Sequence, residues 1–155
     1  MKRQHEQAIA AAERAVGLNP NGADAYCQLA NITHQSGKPV EAIDLLKKAM
    51  QLNPFPPSYY LMFLGSAHLS VGQYEEAIDA LKKAIHLEPN NLFAHVILAA
   101  AYIKTGREEE AHNQAAEVLR IDPKFSLDYY EKILPDINRT FVNDYIASLR
   151  KAGLK

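Results

Sequence analysis

The chain of 155 residues carries 17 Lys and Arg against 18 Asp and Glu, a formal net charge of -1, with 48% hydrophobic and 23% charged residues. Near neutrality argues against a surface built for nucleic acid or anionic lipid, which bind through clustered Lys and Arg; Lys47-Lys48 and Lys82-Lys83 read instead as solvated helix faces. No apolar run reaches the roughly 20 residues of a membrane-spanning helix, and the single cysteine, Cys27, excludes an internal disulfide and suits a reducing compartment, so a cytoplasmic location is expected.

The opening residues MKRQHEQAIAAAERAV predict an amphipathic helix over residues 4–19 and not a signal peptide, because Glu6, Glu13 and Arg14 interrupt any apolar core. A fixed period then governs the chain. Pro20, Pro54, Pro89 and Pro123 recur at steps of 34, 35 and 34 residues, and Gly37, Gly72 and Gly106 each stand 17 residues before the next of these prolines. Each interval reads as two amphipathic helices, with apolar residues at helical spacing as in Ala77, Ile78, Leu81, Ala84 and Ile85. The glycine turns the chain between the helices, and the proline closes the second one. Repeats are therefore predicted over 23–54, 58–89 and 92–123.

The one extra residue lies in NPFPPSYY, residues 53–60, because Leu29, Leu64 and Leu98 all stand eight residues before their glycine. Pro54, Pro56 and Pro57 fix an extended connector there, expected to aim Tyr59 or Tyr60 toward a groove. The run Glu108–Glu110 opens the second helix of its pair, where negative charge suits the helix dipole. After Pro123 the period stops. Ser126 can cap a short helix ending near Leu134-Pro135, and a longer helix from about Asn138 carries Phe141, Val142, Tyr145, Ile146 and Leu149 on one face. These residues serve capping or self-association: residues 126–152 cap the last repeat, or the final helix enters the groove of its own or another copy.

Leu64-Gly65, Ala77, Leu81, Ala84 and Pro89, with Leu29-Ala30, Ala42, Leu46, Ala49 and Pro54, on a 34-residue helix-turn-helix period, resemble the tetratricopeptide-repeat (TPR) family over roughly residues 4–125. The resemblance implies an all-α fold: a right-handed α-solenoid of antiparallel helix pairs, with three complete repeats, an N-terminal half repeat and C-terminal capping helices in one domain. It also implies that the first helix of each pair lines a concave groove, polar near Asn31 and apolar beyond it. The contact residues expected for a protein or peptide partner are Asn31, Tyr59, Met62, Phe63, Phe93, Val96, Ile97 and Ile103. Of the positions with which chaperone-binding members grip a terminal carboxylate, only Asn31 matches.

NPFPPSYY, LGSAHLSVGQYEEAIDALKKAI, the AHVILAAAYIKTGREEEAHNQAAEVLRIDPKFSLDYY block and the terminal LRKAGL together resemble the C-terminal TPR region of bacterial class III adenylate cyclases and related multidomain signalling proteins. That resemblance implies a regulatory or assembly module, without cyclase activity of its own. Residues 4–18 fit the second helix of a pair whose first is missing. Either the chain is a piece of a longer protein or another copy covers the orphan face, giving a homodimer.

Catalysis, cofactors and metals are not expected. The six histidines show no His-x-x-x-His spacing, Cys27 has no CxxC partner, and there is no G-x-S-x-G or phosphate-binding loop. An enzyme or small-ligand sensor would need His34, His68 and His95 gathered round a cavity; packing within the helix pair is the ordinary reading of His68. The sequence thus predicts a non-catalytic interaction module binding a peptide or partner helix in an apolar groove. The alternative is the regulatory or structural tail of a larger signalling enzyme, without a ligand of its own.

Overall fold

Three glycines set the geometry of the helix pairs. Gly37, Gly72 and Gly106 adopt φ of 84°, 78° and 75°. The residue after each donates its backbone N–H back across the turn: Lys38 to the Thr33 carbonyl (3.1 Å), Gln73 to His68 (3.0 Å) and Arg107 to Tyr102 (2.8 Å). This is the left-handed helix stop with its six-to-one bond, and glycine adopts it without the Cβ penalty. The chain reverses, and the next helix returns antiparallel.

The structure, a computed structural model, describes residues 2–136 and 138–155. Among the described residues there are nine helices and no strand: α1 Lys2–Leu18, α2 Ala23–Gln35, α3 Pro39–Leu52, α4 Ser58–Ser70, α5 Tyr74–Leu87, α6 Leu92–Lys104, α7 Glu108–Ile121, α8 Leu127–Ile133 and α9 Arg139–Lys151. They build an α-solenoid of helix pairs. α2 packs on α3, α4 on α5 and α6 on α7, and successive pairs join through α3 on α4 and α5 on α6. The first helices α2, α4 and α6 also touch in sequence. α1 lies against α2, with Ala12 buried and Ala8, Ile9 and Val16 half-buried.

The connector between α3 and α4 spans 53–57, against 19–22 and 88–91 at the corresponding junctions, so it holds the extra residue. Pro57 is extended at φ -61° and ψ 160°, and α4 starts immediately after it. Within the second pair the helices approach closely: a Cβ on Gly65 would stand 2.5 Å from Leu81 Cγ, and Leu81 is fully buried. Ala30 and Ala99 fill the equivalent places in their pairs, both fully buried.

Every residue of α6 from Ala94 to Tyr102 is buried. A helix apolar on all sides needs cover on all sides. Neighbouring solenoid helices give part of that cover, and α9 gives the rest by packing on α6. Both terminal helices are capped by side chains: Ser126 Oγ accepts from the Tyr129 N–H (3.3 Å) and Asn138 Oδ1 from the Phe141 N–H (3.0 Å). Val142, Tyr145, Ile146 and Leu149 of α9 are buried, each worth about 1.5–3 kcal/mol of gross transfer free energy. The Leu127 N–H donates to the Lys155 carbonyl (2.8 Å) and Leu154 is buried, which ties the last residues to the start of α8. Among the described residues no helix is long and apolar enough to cross a membrane.

Candidate functional site

A cavity of about 550 Å³ opens where α2, α4 and α6 face α8 and α9. Its size is within the ordinary range for ligand sites. α2, the turn after it and the start of α3 supply Asn31, His34, Gln35, Gly37 and Pro39, while α4 supplies Met62, Phe63, Ser66, Leu69 and Ser70. Phe93 and Ile97 come from α6. The opposite wall is Tyr130, Leu134, Pro135, Asn138, Phe141, Val142 and Tyr145. Among the described residues, no Asp, Glu, Lys or Arg stands on the cavity wall.

Helical spacing explains the assembly. Phe93, Ile97, Ala100 and Lys104 repeat at i, i+4, i+7 and i+11, so they share one face of α6. Phe93 and Ile97 share the cavity wall with Tyr130 and Tyr145. Ala100 and Lys104 line a smaller adjoining recess with Phe141, Asp144 and Tyr145. The terminal helices therefore lie over the concave face of α6. Lys104 and Asp144 form an ion pair across that contact, and Phe93 stacks on Tyr130 at 6.0 Å between ring centroids.

The polar groups of the wall are mostly engaged with one another. His34 Nε2 stands 2.8 Å from Ser70 Oγ, and Ser70 Oγ donates to the Ser66 carbonyl (3.1 Å). The serine proton is thus committed, and His34 Nε2–H is the donor in the histidine bond. Burial holds the His34 pKa below the ordinary imidazole value, so the ring is neutral at neutral pH. Gln35 donates to Asn31 Oδ1 (3.2 Å). Tyr130 and Tyr145 bring their hydroxyls within 3.1 Å; burial pushes Tyr130 up to about 12 and Tyr145 well above the phenol range.

Five of the sequence-derived contact residues meet on the wall: Asn31, Met62, Phe63, Phe93 and Ile97. Val96 does not. It is fully buried in the core, where no partner can reach it. Ile103 is half-buried and lies off the wall.

Tyr59 and Tyr60 are also off the wall, so the connector does not aim either into the cavity. Tyr60 is fully buried, and both hydroxyls donate to Asp24, the Tyr59 bond measuring 2.9 Å. Tyr59 meets Phe63 edge-on at 6.0 Å. The three histidines weighed as a cluster have separate partners: His34 with Ser70, His68 with Gln73 (2.6 Å), and His95 with Gln114 (2.6 Å) and the Pro89 carbonyl (2.8 Å). Of these only His34 lines the cavity. Phe141, Val142 and Tyr145 form cavity wall, while Ile146 and Leu149 are buried behind it.

Tyr130 and Leu134 were not singled out from the sequence as site residues. Their signal was present: Leu127, Tyr130 and Leu134 fall at i, i+3 and i+7, an apolar spacing that runs along the short α8 to the residue just after it.

The tetratricopeptide-repeat profile matches residues 1–65 and 68–132. The chain belongs to the tetratricopeptide-repeat family. Solved structures similar to it include MamA, at 26% identity and a TM-score of 0.73, covering 97% of this chain and 88% of that one. YrrB, described as a TPR protein with an unusual peptide-binding site, shows 22% identity and a TM-score of 0.67, covering 97% of this chain and 82% of its own. The first TPR of Spaghetti (RPAP3), solved with the HSP90 peptide SRMEEVD, shows 22% identity and a TM-score of 0.65, covering 84% and 90%. At such identities the last two speak for the fold. No protein of curated function matches the sequence. In TPR terms α2, α4 and α6 are the first helices of their repeats, and the TPR fold is a non-catalytic protein-interaction fold. Among the described residues no group of three or more His, Cys, Asp and Glu side chains is placed to hold a metal ion.

Proposed function

We propose that this TPR chain is a non-catalytic interaction module that receives an apolar segment of a protein or peptide partner in the cavity between α2, α4, α6 and the α8–α9 pair. One observation carries the reading: a cavity of about 550 Å³ with Met62, Phe63, Phe93, Ile97 and Phe141 on its wall and no charged side chain there. Apolar surface gathered in a concavity on a folded domain marks a place where another molecule is covered. YrrB and the Spaghetti domain lend support as relatives in fold whose structures concern peptide binding. The Spaghetti peptide SRMEEVD is acidic, and a wall without Lys or Arg suits different chemistry.

Phe141, Val142, Tyr145, Ile146 and Leu149 act in this reading as the cap that completes the cavity, since their side chains pack within the chain. A homodimer would use the half-covered face of α1 instead. Attachment to a larger cyclase-like signalling enzyme, suggested by the resemblance of NPFPPSYY and the terminal LRKAGL, would make the same module a regulatory tail.

Selection of displayed random peptides on the full chain tests the proposal. The expected outcome is enrichment of apolar sequences whose binding is lost, by tenfold or more, in Phe63→Asp, while helicity and melting stay near those of the wild type. Selected peptides that bind Phe63→Asp as tightly as the wild type would contradict it.

A further inference from the structure

Two phenol groups meet at the cavity wall. Tyr130 and Tyr145 both line it, are only 7% and 5% exposed, and hold their hydroxyl oxygens 3.1 Å apart. The protons do not balance. Two O–H groups share one hydrogen bond, so the hydroxyl that accepts keeps its own proton unused, and among the described residues neither oxygen has another partner. A buried donor in that condition favours any molecule that brings an acceptor. The rings are held in place: Phe93 stacks on Tyr130, and Phe141 stacks on Tyr145 with 10° between ring planes.

The wall also states what the acceptor is. A carboxylate would enter with no cation to meet it and an ammonium with no anion, and an unpaired charge strongly resists leaving water. Lys104 and Asp144, in the adjoining recess, are spent on each other. A neutral carbonyl oxygen suits the donor best. Helical peptides offer few, because their interior carbonyls are already bonded within the helix. An extended stretch keeps its carbonyls free.

We propose that the Tyr130–Tyr145 hydroxyl pair is a hydrogen-bond donor site for a backbone carbonyl, and that the cavity's occupant is an uncharged, apolar peptide stretch bound in extended form. This rests on the reading of the cavity as a peptide site.

The test uses the full chain with N-acetylated, C-amidated octapeptides: an uncharged apolar set, and the same peptides with a central Glu or Lys. Binding is followed by fluorescence anisotropy. The uncharged set binds, and a central charge weakens binding at least about tenfold. The double variant Tyr130→Phe with Tyr145→Phe keeps the ring volume and binds the tightest uncharged peptide about tenfold more weakly, the loss of one hydrogen bond. Each single variant leaves one hydroxyl free to turn to the peptide and loses less than about threefold. A thioamide at the anchored carbonyl reproduces the loss in the wild type and adds nothing in the double variant. That last comparison separates a donor from a packing role and, made across all positions in the wild type, decides the matter if the double variant melts early.

Unchanged binding by the double variant, with Phe63→Asp still abolishing it, would overturn the donor site and leave the peptide cavity standing. Equal binding of charged and uncharged peptides would overturn the proposed ligand class. If neither set binds, the peptide reading falls and the donor site with it.

Discussion

Asp24 fastens the connector insertion to the preceding repeat. Its carboxylate accepts from the hydroxyl of Tyr60, which is fully buried, and from that of Tyr59 at 2.9 Å. The Tyr60 bond first and the Tyr59 bond second hold the Asp24 pKa below the ordinary carboxylate value. A folded pKa lower than the unfolded one stabilises the native state above about pH 4, and that contribution is lost as pH falls through the folded value. Asp24→Asn keeps an acceptor and removes the charge, so urea unfolding should show the variant less stable than the wild type at pH 7, with the difference closing below about pH 4. A difference independent of pH would mean that the charge has no part in the fastening. The same cluster makes Cys27 inert: it has no exposed surface, and burial with the nearby Asp24 charge pushes its thiol up to about 12.

At the scale of elements, the terminal helices decide what the concave face of α6 can do. Leu149 is fully buried on α9, so Leu149→Ala should cost about 2–5 kcal/mol in urea unfolding and weaken peptide binding along with it. Leu18→Ala, at a position 89% exposed on α1, should change stability by less than about 0.5 kcal/mol. Equal effects of the two would contradict a cap that shares the core. Much at this scale was legible in the sequence. The glycine turns and amphipathic pairs repeat often enough to locate α2 to α7, and Ser126 and Asn138 announce α8 and α9 by the chemistry of their caps. The destination of α9 was not legible, because its apolar face reads the same against its own groove or another copy's. Val96 and Ile97 are neighbours in one apolar run and both are buried, yet only Ile97 borders the cavity, and an unbroken apolar run carries no sign of which neighbour will. The bond from Tyr59 to Asp24 was not legible either, because it joins residues 35 positions apart, a relation that a local periodicity does not contain.

Across the whole molecule, charge is kept to the outside and away from the cavity. The pairs Arg107–Glu110, Arg120–Glu117, Arg139–Glu131 and Lys151–Glu108 all involve partly exposed side chains, where such pairs contribute little and are screened by salt. What the solenoid offers a partner is therefore shape and apolar surface at one end of its concave side, closed over by α8 and α9. The most direct measurement is a titration of isotope-labelled full chain with the tightest uncharged apolar peptide, read by amide chemical shifts. Binding in the cavity predicts that the largest shifts fall at Phe63, Ser66, Phe93, Tyr130 and Phe141. Shifts confined to the solvated faces of α3 and α5, around Lys47 and Lys82, would contradict it.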